Sequence, residues 1–218
     1  PKLNNINLSF VLSIFNSKPI NFWYKMHFPN VNINPNDFRE IPIPQISFDK
    51  SNNLQEIKEL LNKYLKDEIS DKAIQLSIKE KYLNSNSQFL HDILTFLAEN
   101  IVKLNQNKLD EKTNFLNWLN SEFDMDYLKI KPIGKIKNYE EIDSNEFIKI
   151  LKKNKNNIKH NTSTRNFSEK IEKEFKLTKN ELLLIIPKII KMDKLIDIIL
   201  YSIYNLNEDE VKMVENNL

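Results

Sequence analysis

Between Ser87 and Phe123 the apolar residues advance by steps of three and four. Leu90, Ile93 or Leu94, Leu97, Ile101 and Leu104 are followed, after a polar stretch from Asn105 to Asn114, by Phe115, Trp118 and Leu119. Such spacing returns each side chain to one face of a helix with 3.6 residues per turn. It predicts one long helix, or two in series, over 87–123, with other elements packed along its stripe. A bundle seam and a coiled coil both use this spacing, so it leaves the number of chains open.

Helical signals flank this region. Leu54, Ile57, Leu61, Tyr64 and Leu65 share one face, and Asn53 with Glu56 has the spacing of a capping box. A shorter helix is predicted over Lys72–Tyr82 and another near Ser144–Lys153. Thr178 with Glu181 offers a second capping box, and Pro187 is expected to break or kink the helix that follows. Beyond it, Met192, Ile196, Ile199 and Ile203 lie on one face, and Asn207 with Glu210 predicts a capped terminal helix. Pro132 and Gly134 interrupt the pattern over 124–140, and the polar, basic run from Lys152 to Arg165 reads as a linker.

The N-terminal region is mixed. Leu8, Val11, Leu12 and Phe15 have helical spacing, whereas Ile20–Phe28 fits helix or strand. Val31, Ile33, Phe38, Ile41 and Ile43 stand among Pro29, Pro35, Pro42 and Pro44, where missing donors and restricted neighbours favour loops and short edge strands. The fold class is therefore mainly α, a helical bundle with one long helix, preceded by a Pro-rich segment with room for short β-strands.

Composition narrows the chemistry. Gly134 is the single glycine of 218 residues. Phosphate-cradling loops need several glycines close together, so a P-loop or dinucleotide fold is not expected. The absence of cysteine excludes disulfides and thiolate metal sites and fits a reducing cytoplasm. The stretch from Leu182 to Tyr204 is apolar but carries Lys188, Lys191, Asp193, Lys194 and Asp197. Each charge at mid-membrane costs about 2.5–3.5 kcal/mol, so no membrane span is expected. A formal net charge of +2 does not by itself indicate nucleic acid. A chain that opens at Pro1 reads as part of a longer protein.

Three passages together resemble the C-terminal region of the large adenine-N6 DNA methyltransferases of restriction–modification systems, the type IIG enzymes and their stand-alone relatives. FVLSIFNSKPINFWYKMHFPNVNINPNDFREIPIP, residues 10–44, resembles the closing segment of a Taq-like target-recognition domain. HDILTFLAENIVKLNQNKLDEKTNFLNWL, residues 91–119, is similar to the long helix that follows it. KMDKLIDIILYSIYNLNEDEVKMVE, residues 191–215, resembles the family's ending, except that Asn205 stands where relatives often have glycine. Asparagine tolerates the left-handed conformation next best, so a helix-ending turn is still expected there.

The resemblance implies three parts: the end of a recognition domain over 1–46, a helical scaffold with the long helix over 47–130, and a helical subdomain over 131–218. It also implies that catalysis lies elsewhere. The family's glycine-containing S-adenosylmethionine loop is missing, and so is its Asn/Asp-Pro-Pro-Tyr/Phe motif, since Asn34-Pro35 is followed by Asn36. S-adenosylmethionine is thus expected in a preceding methyltransferase core, with no catalytic, cofactor or metal residue in this chain. A nuclease centre lacks support, because triplets such as Glu174-Phe175-Lys176 are common on solvated helices.

Candidate DNA contacts follow from side-chain chemistry. Lys25, His27, Asn30, Asn32, Asn34 and Arg39 gather in one stretch, where asparagine can bond adenine edges and arginine guanine edges or phosphates. Lys152, Lys153 and Lys155, with Lys159 and Arg165 nearby, could neutralise phosphates or simply solvate a linker. Phe22, Trp23 and Tyr24 suit a core better than a base-stacking platform. Asp193 and Asp197, four apart, suit a hydrogen-bonded structural role, with Tyr201 or Tyr204 as partners. His91 and Asp92 offer too few ligands for a metal.

The expected role is a non-catalytic DNA-recognition and scaffold region of such a cytoplasmic methyltransferase, with double-stranded DNA and the methyltransferase core as partners. Two alternatives stay open: part of a type I restriction specificity subunit, and an α-helical protein-interaction module with no DNA role.

Overall fold

The computed structural model describes residues 6–28, 36–48, 53–84 and 87–217. Nine helices are defined among them: α1 (Leu8–Phe15), α2 (Lys18–His27), α3 (Leu54–Leu65), α4 (Asp71–Leu83), α5 (Ser87–Phe123), α6 (Ile133–Lys137), α7 (Ser144–Lys153), α8 (Arg165–Ile203) and α9 (Glu208–Asn216). The long helix over 87–123 is continuous. No strand occurs among the described residues. The only extended pairing among them is an isolated bridge between Met125 and Ile158. The Pro-rich stretch that had room for strands holds a 3-10 turn, Asp37–Arg39, and irregular chain over 40–48. Of Ile20–Phe28, all but the final Phe28 resolves as helix, because Pro19 in the first turn lacks only a donor that would have no partner there.

The chain divides into two compact units, and the boundaries differ from those expected at 46 and 130. The first joins residues 1–102 to 188–218; the second is 103–187. Residues 1–46 do not stand alone, since α1 and α2 bury Phe10, Ile14 and Ile20 in a unit that also holds the buried Ile57, Leu61, Leu90, Leu94, Leu195 and Ile199. The second unit closes on its own cluster, with Phe115, Leu119, Phe123, Ile136, Tyr139, Phe147, Leu151, Phe167, Ile171 and Phe175 all buried.

Of the two outcomes expected at Pro187 the break does not occur: α8 runs through it, although the unit boundary falls there. Three local expectations need correction. Thr178 is buried mid-helix rather than capping an end. Asn53 does not cap α3, for its amide donates to Asp92 at 3.0 Å, and Glu56 pairs instead with Lys81 at 2.6 Å. The run from Lys152 to Arg165 is not a linker. Ile158 and Thr162 are buried, and Thr164 Oγ1 accepts the Phe167 N–H at 3.2 Å to start α8. The capping box at Asn207 and Glu210 is present with both of its bonds.

Among the described residues, three non-glycine residues take positive φ: Asp67 (62°), Asp124 (45°) and Asn205 (56°). Asn205 ends α8 as expected, with the Leu206 N–H reaching back to the Tyr201 carbonyl at 2.9 Å. Each of the three also accepts a lysine ammonium: Asp67 from Lys191 at 2.6 Å, Asp124 from Lys159 at 2.7 Å, and Asn205 from Lys79 at 2.8 Å.

The structural role of Asp197 is clear, but its partner is not a tyrosine. Its Oδ1 accepts the Lys18 N–H at 2.8 Å, satisfying an open donor at the start of α2. Tyr201 donates to Glu215, which also pairs with Lys18. Burial pushes the Asp197 carboxyl up to about 6, only partly offset by the bond from Lys18. A group with a raised folded value favours the folded state most fully below its unfolded pKa, and that contribution is lost as pH rises through about 6. Asp197→Asn keeps an acceptor for Lys18. It should remove this slope and gain up to about 2 kcal/mol relative to wild type above neutrality. Urea unfolding at about pH 4.5 and pH 7.5 checks it: an unchanged difference between wild type and variant at the two pH values would sink the assignment.

Candidate nucleic-acid interface

In the first unit, the candidate contacts that can be described lie on α2 and in the 3-10 turn after it. Lys25 donates to the carbonyl of Asn217 at 2.9 Å, which ties it to the end of α9. His27 is exposed; its ring stacks on Trp23 at 4.2 Å, and its Nδ1 lies 2.8 Å from the Trp23 carbonyl. Arg39 is exposed at the end of the 3-10 turn. Lys25 and His27 are two positions apart on a helix and so point to different sides. Asn30, Asn32 and Asn34 lie outside the described residues. Phe22, Trp23 and Tyr24 are half-buried rather than core. Phe22, Trp23 and Met26 line an apolar groove of about 410 Å³ with Tyr204, Met213 and Val214.

The second unit gathers positive charge more tightly. Asp143 caps α7 by accepting the Glu146 N–H at 2.7 Å, and the helix buries Phe147, Ile148, Ile150 and Leu151. That burial leaves Lys149, Lys152 and Lys153 on the exposed side at positions i, i+3 and i+4, a spacing that makes them neighbours. Lys131 joins them from an adjoining segment. Asn154 accepts the Lys131 N–H at 3.0 Å and donates to the Lys131 carbonyl at 2.8 Å and to that of Ile150 at 2.9 Å. Asn157 adds a bond to the Lys129 carbonyl at 3.4 Å. Two adjacent grooves result. One, of about 540 Å³, is lined by Lys131, Lys135, Lys149 and Lys153; the other, of about 430 Å³, by Lys149, Lys152, Lys153, Asn145 and Ser168.

The acids at these grooves are already engaged. Glu146 pairs with Lys135 at 2.5 Å, Glu172 with Lys176 at 2.5 Å, and Asp143 serves as the cap. Lys155 is exposed in the following 3-10 turn and lines neither groove. Lys159 and Arg165 are drawn away into pairs with Asp124 at 2.7 Å and Glu169 at 2.6 Å. Lys152 and Lys153, singled out from the sequence, stand on this exposed surface beside Lys131 and Lys149, which were not singled out. The helical period of Ser144–Lys153 could have found Lys149. Lys131 could not be found, because its place depends on the Asn154 clamp.

His91 and Asp92 form a different kind of site. The buried His91 ring accepts the Asn7 N–H on Nε2 at 3.0 Å, and its Nδ1 lies 2.9 Å from Asp92 Oδ1, which fixes the proton on Nδ1. Both ring nitrogens are used, so neither is left for proton transfer. Among the described residues, no three His, Asp or Glu side chains gather as a metal site would need.

Residues 91–200 match a family described as a domain of unknown function, DUF8810. The chain belongs to this family. Its span begins at His91 near the start of α5 and ends at Leu200 near the end of α8, so it takes in the whole second unit. Lys131, Lys149, Lys152 and Lys153 therefore lie within the DUF8810 span, whereas Lys25, His27 and Arg39 lie before it. No curated protein and no solved structure matches the chain. No helix among the described residues is long and apolar enough to cross a membrane.

Proposed function

We propose that this chain is a DNA-contacting scaffold region of an adenine-N6 DNA methyltransferase from a restriction–modification system. The observation that carries the DNA part is the gathering of Lys131, Lys149, Lys152 and Lys153 on one exposed surface whose acids are already engaged. The methyltransferase part is supported by the three passages at 10–44, 91–119 and 191–215, in their order and spacing. In this reading the protein is cytoplasmic. Methyl transfer from S-adenosylmethionine belongs to a methyltransferase core that the helices brace, and α2 with the turn at Arg39 approaches duplex DNA as the end of a recognition domain.

The test is direct titration of a fluorescent DNA duplex with the full chain across a salt series. Wild type should bind with an affinity that falls steeply as salt rises. Lys25→Gln with Arg39→Gln should weaken binding several-fold and flatten the slope of log K against log salt by about one to two. Unchanged binding in this folded double variant would remove α2 and the Arg39 turn from the interface.

A second reading, a protein-interaction module, is favoured by the apolar groove at Phe22, Trp23 and Met26. It predicts no salt-dependent duplex binding by wild type.

A further inference from the structure

Lysines at a helix C-terminus often only complement the helix dipole. Three features of this cluster ask for more. Lys131 is not on α7 at all. It is brought beside α7 by Asn154, whose amide pairs with both the N–H and the carbonyl of the Lys131 backbone, as a neighbouring strand would. Lys131, Lys149, Lys152 and Lys153 take part in no ion pair among the described residues, while Lys135, Lys159, Lys170 and Lys176 around them each do. The acids lining the grooves are committed to Lys135, to Lys176 and to the cap of α7.

We propose that Lys131, Lys149, Lys152 and Lys153 form one cradle for successive phosphates of a DNA duplex, with Asn154 as the residue that positions it. The proposal rests on the DNA-contacting reading above and names where and how that contact is made. Lys149 and Lys153 are separated by about 6 Å of helix rise. That distance is close to one phosphate-to-phosphate step along a strand, because the axial rise of about 3.4 Å per phosphate is only part of a path that also winds around the duplex. Asn145 and Ser168, which line the second groove, add neutral donors of the kind that fix a duplex in register. The cradle holds no arginine fork and no asparagine pair aimed outward at bases, so its contribution is independent of sequence. An acidic helix is the poorer fit, because helix-in-groove partners need a row of apolar anchors. These grooves offer only Pro132, Ile148 and Ile150, and both isoleucines are largely buried.

The experiment uses the full chain, a fluorescent duplex of arbitrary sequence and a salt titration. Three proteins are compared: wild type, the cradle variant K131Q/K149Q/K153Q, and a charge-matched control, K58Q/K63Q/K66Q, on exposed positions in or next to α3. All six positions are exposed, and circular dichroism verifies folding. The cradle variant should lower the slope of log K against log salt by about two to three relative to wild type, at about 0.9 for each phosphate left without its lysine. The control should stay close to wild type.

Equal slopes for the cradle and control variants overturn the cradle; salt-dependent duplex binding by wild type would then support DNA contact by itself, at another surface of the chain. Failure of wild type to bind duplex even at low salt overturns that reading, and the cradle with it. Preferential displacement of duplex by poly-glutamate over an equal charge of unlabelled duplex assigns the surface to an acidic polypeptide and overturns the proposal.

Asn154 is tested by a cycle. N154A should weaken DNA binding in the wild-type background but add nothing once Lys131 is glutamine, although it lowers stability in both. Equal DNA effects in both backgrounds would mean that Asn154 acts only on stability, and would end its positioning role.

Discussion

Phe115→Ala is expected to destabilise the unit of residues 103–187 by about 3–5 kcal/mol, the range found for a buried phenylalanine that leaves a cavity. Its ring centroid lies 4.5 Å from Tyr139, 5.5 Å from Phe147 and 6.0 Å from both Trp118 and Phe175. These rings come from α5, the turn after α6, α7 and α8, so one side chain lies among rings from four elements of the cluster. Aromatic pairs add about 0.5–1.5 kcal/mol each beyond area burial, which puts the loss at the upper end. Amide exchange should show the effect as lost protection concentrated in 103–187, with residues 6–102 much less altered. A loss below about 1 kcal/mol would mean that the cluster repacks, and that Phe115 is not its centre.

The next largest effect is expected at His91. His91→Ala removes a buried ring that lies 5.0 Å from both Phe10 and Phe48. It also leaves the Asn7 N–H without its acceptor and removes the donor to Asp92 Oδ1, so that Asp92 keeps the Asn53 amide on Oδ2. Weaker packing and an unsatisfied donor together should cost about 3 kcal/mol. Replacement by glutamine or by asparagine should each recover part of this, since each can rebuild one of the two bonds. Urea titration of the three variants checks the order. Equal stability of alanine, asparagine and glutamine at this position would show that the bonds contribute nothing and that the ring acts by volume alone.

Local regularity decided what could be read from the chain. The long helix over 87–123 was legible because its apolar residues keep one period through a polar middle, and that period survives any tertiary arrangement. Asn205 was legible because few residues accept a left-handed turn. The stretch after Lys152 misled because its asparagines and threonines look like linker residues. Asn154 and Asn157 instead bind backbone groups of another segment, bonds that exist only once the chain has folded, and Thr164 accepts the Phe167 N–H at the start of α8. Pro187 marked a place where the helix breaks or kinks, and a helix of this length continues past one lost donor, which removes the break. The cradle was half legible. Lys152 and Lys153 belonged to a visible charge run, while Lys131 is brought to them through a contact 23 positions away in sequence.

The three left-handed turns bear on how a chain with one glycine folds. A glycine at such a site would relieve the strain but widen the range of conformations lost on folding. Asp67, Asp124 and Asn205 accept the strain and keep the unfolded chain stiffer at the points where helices end. Each also offers an oxygen to a lysine from another segment, which a glycine could not do. The places where the chain stops being helical are thus also places where distant segments are fastened, so forming a turn and closing a long loop become a single event.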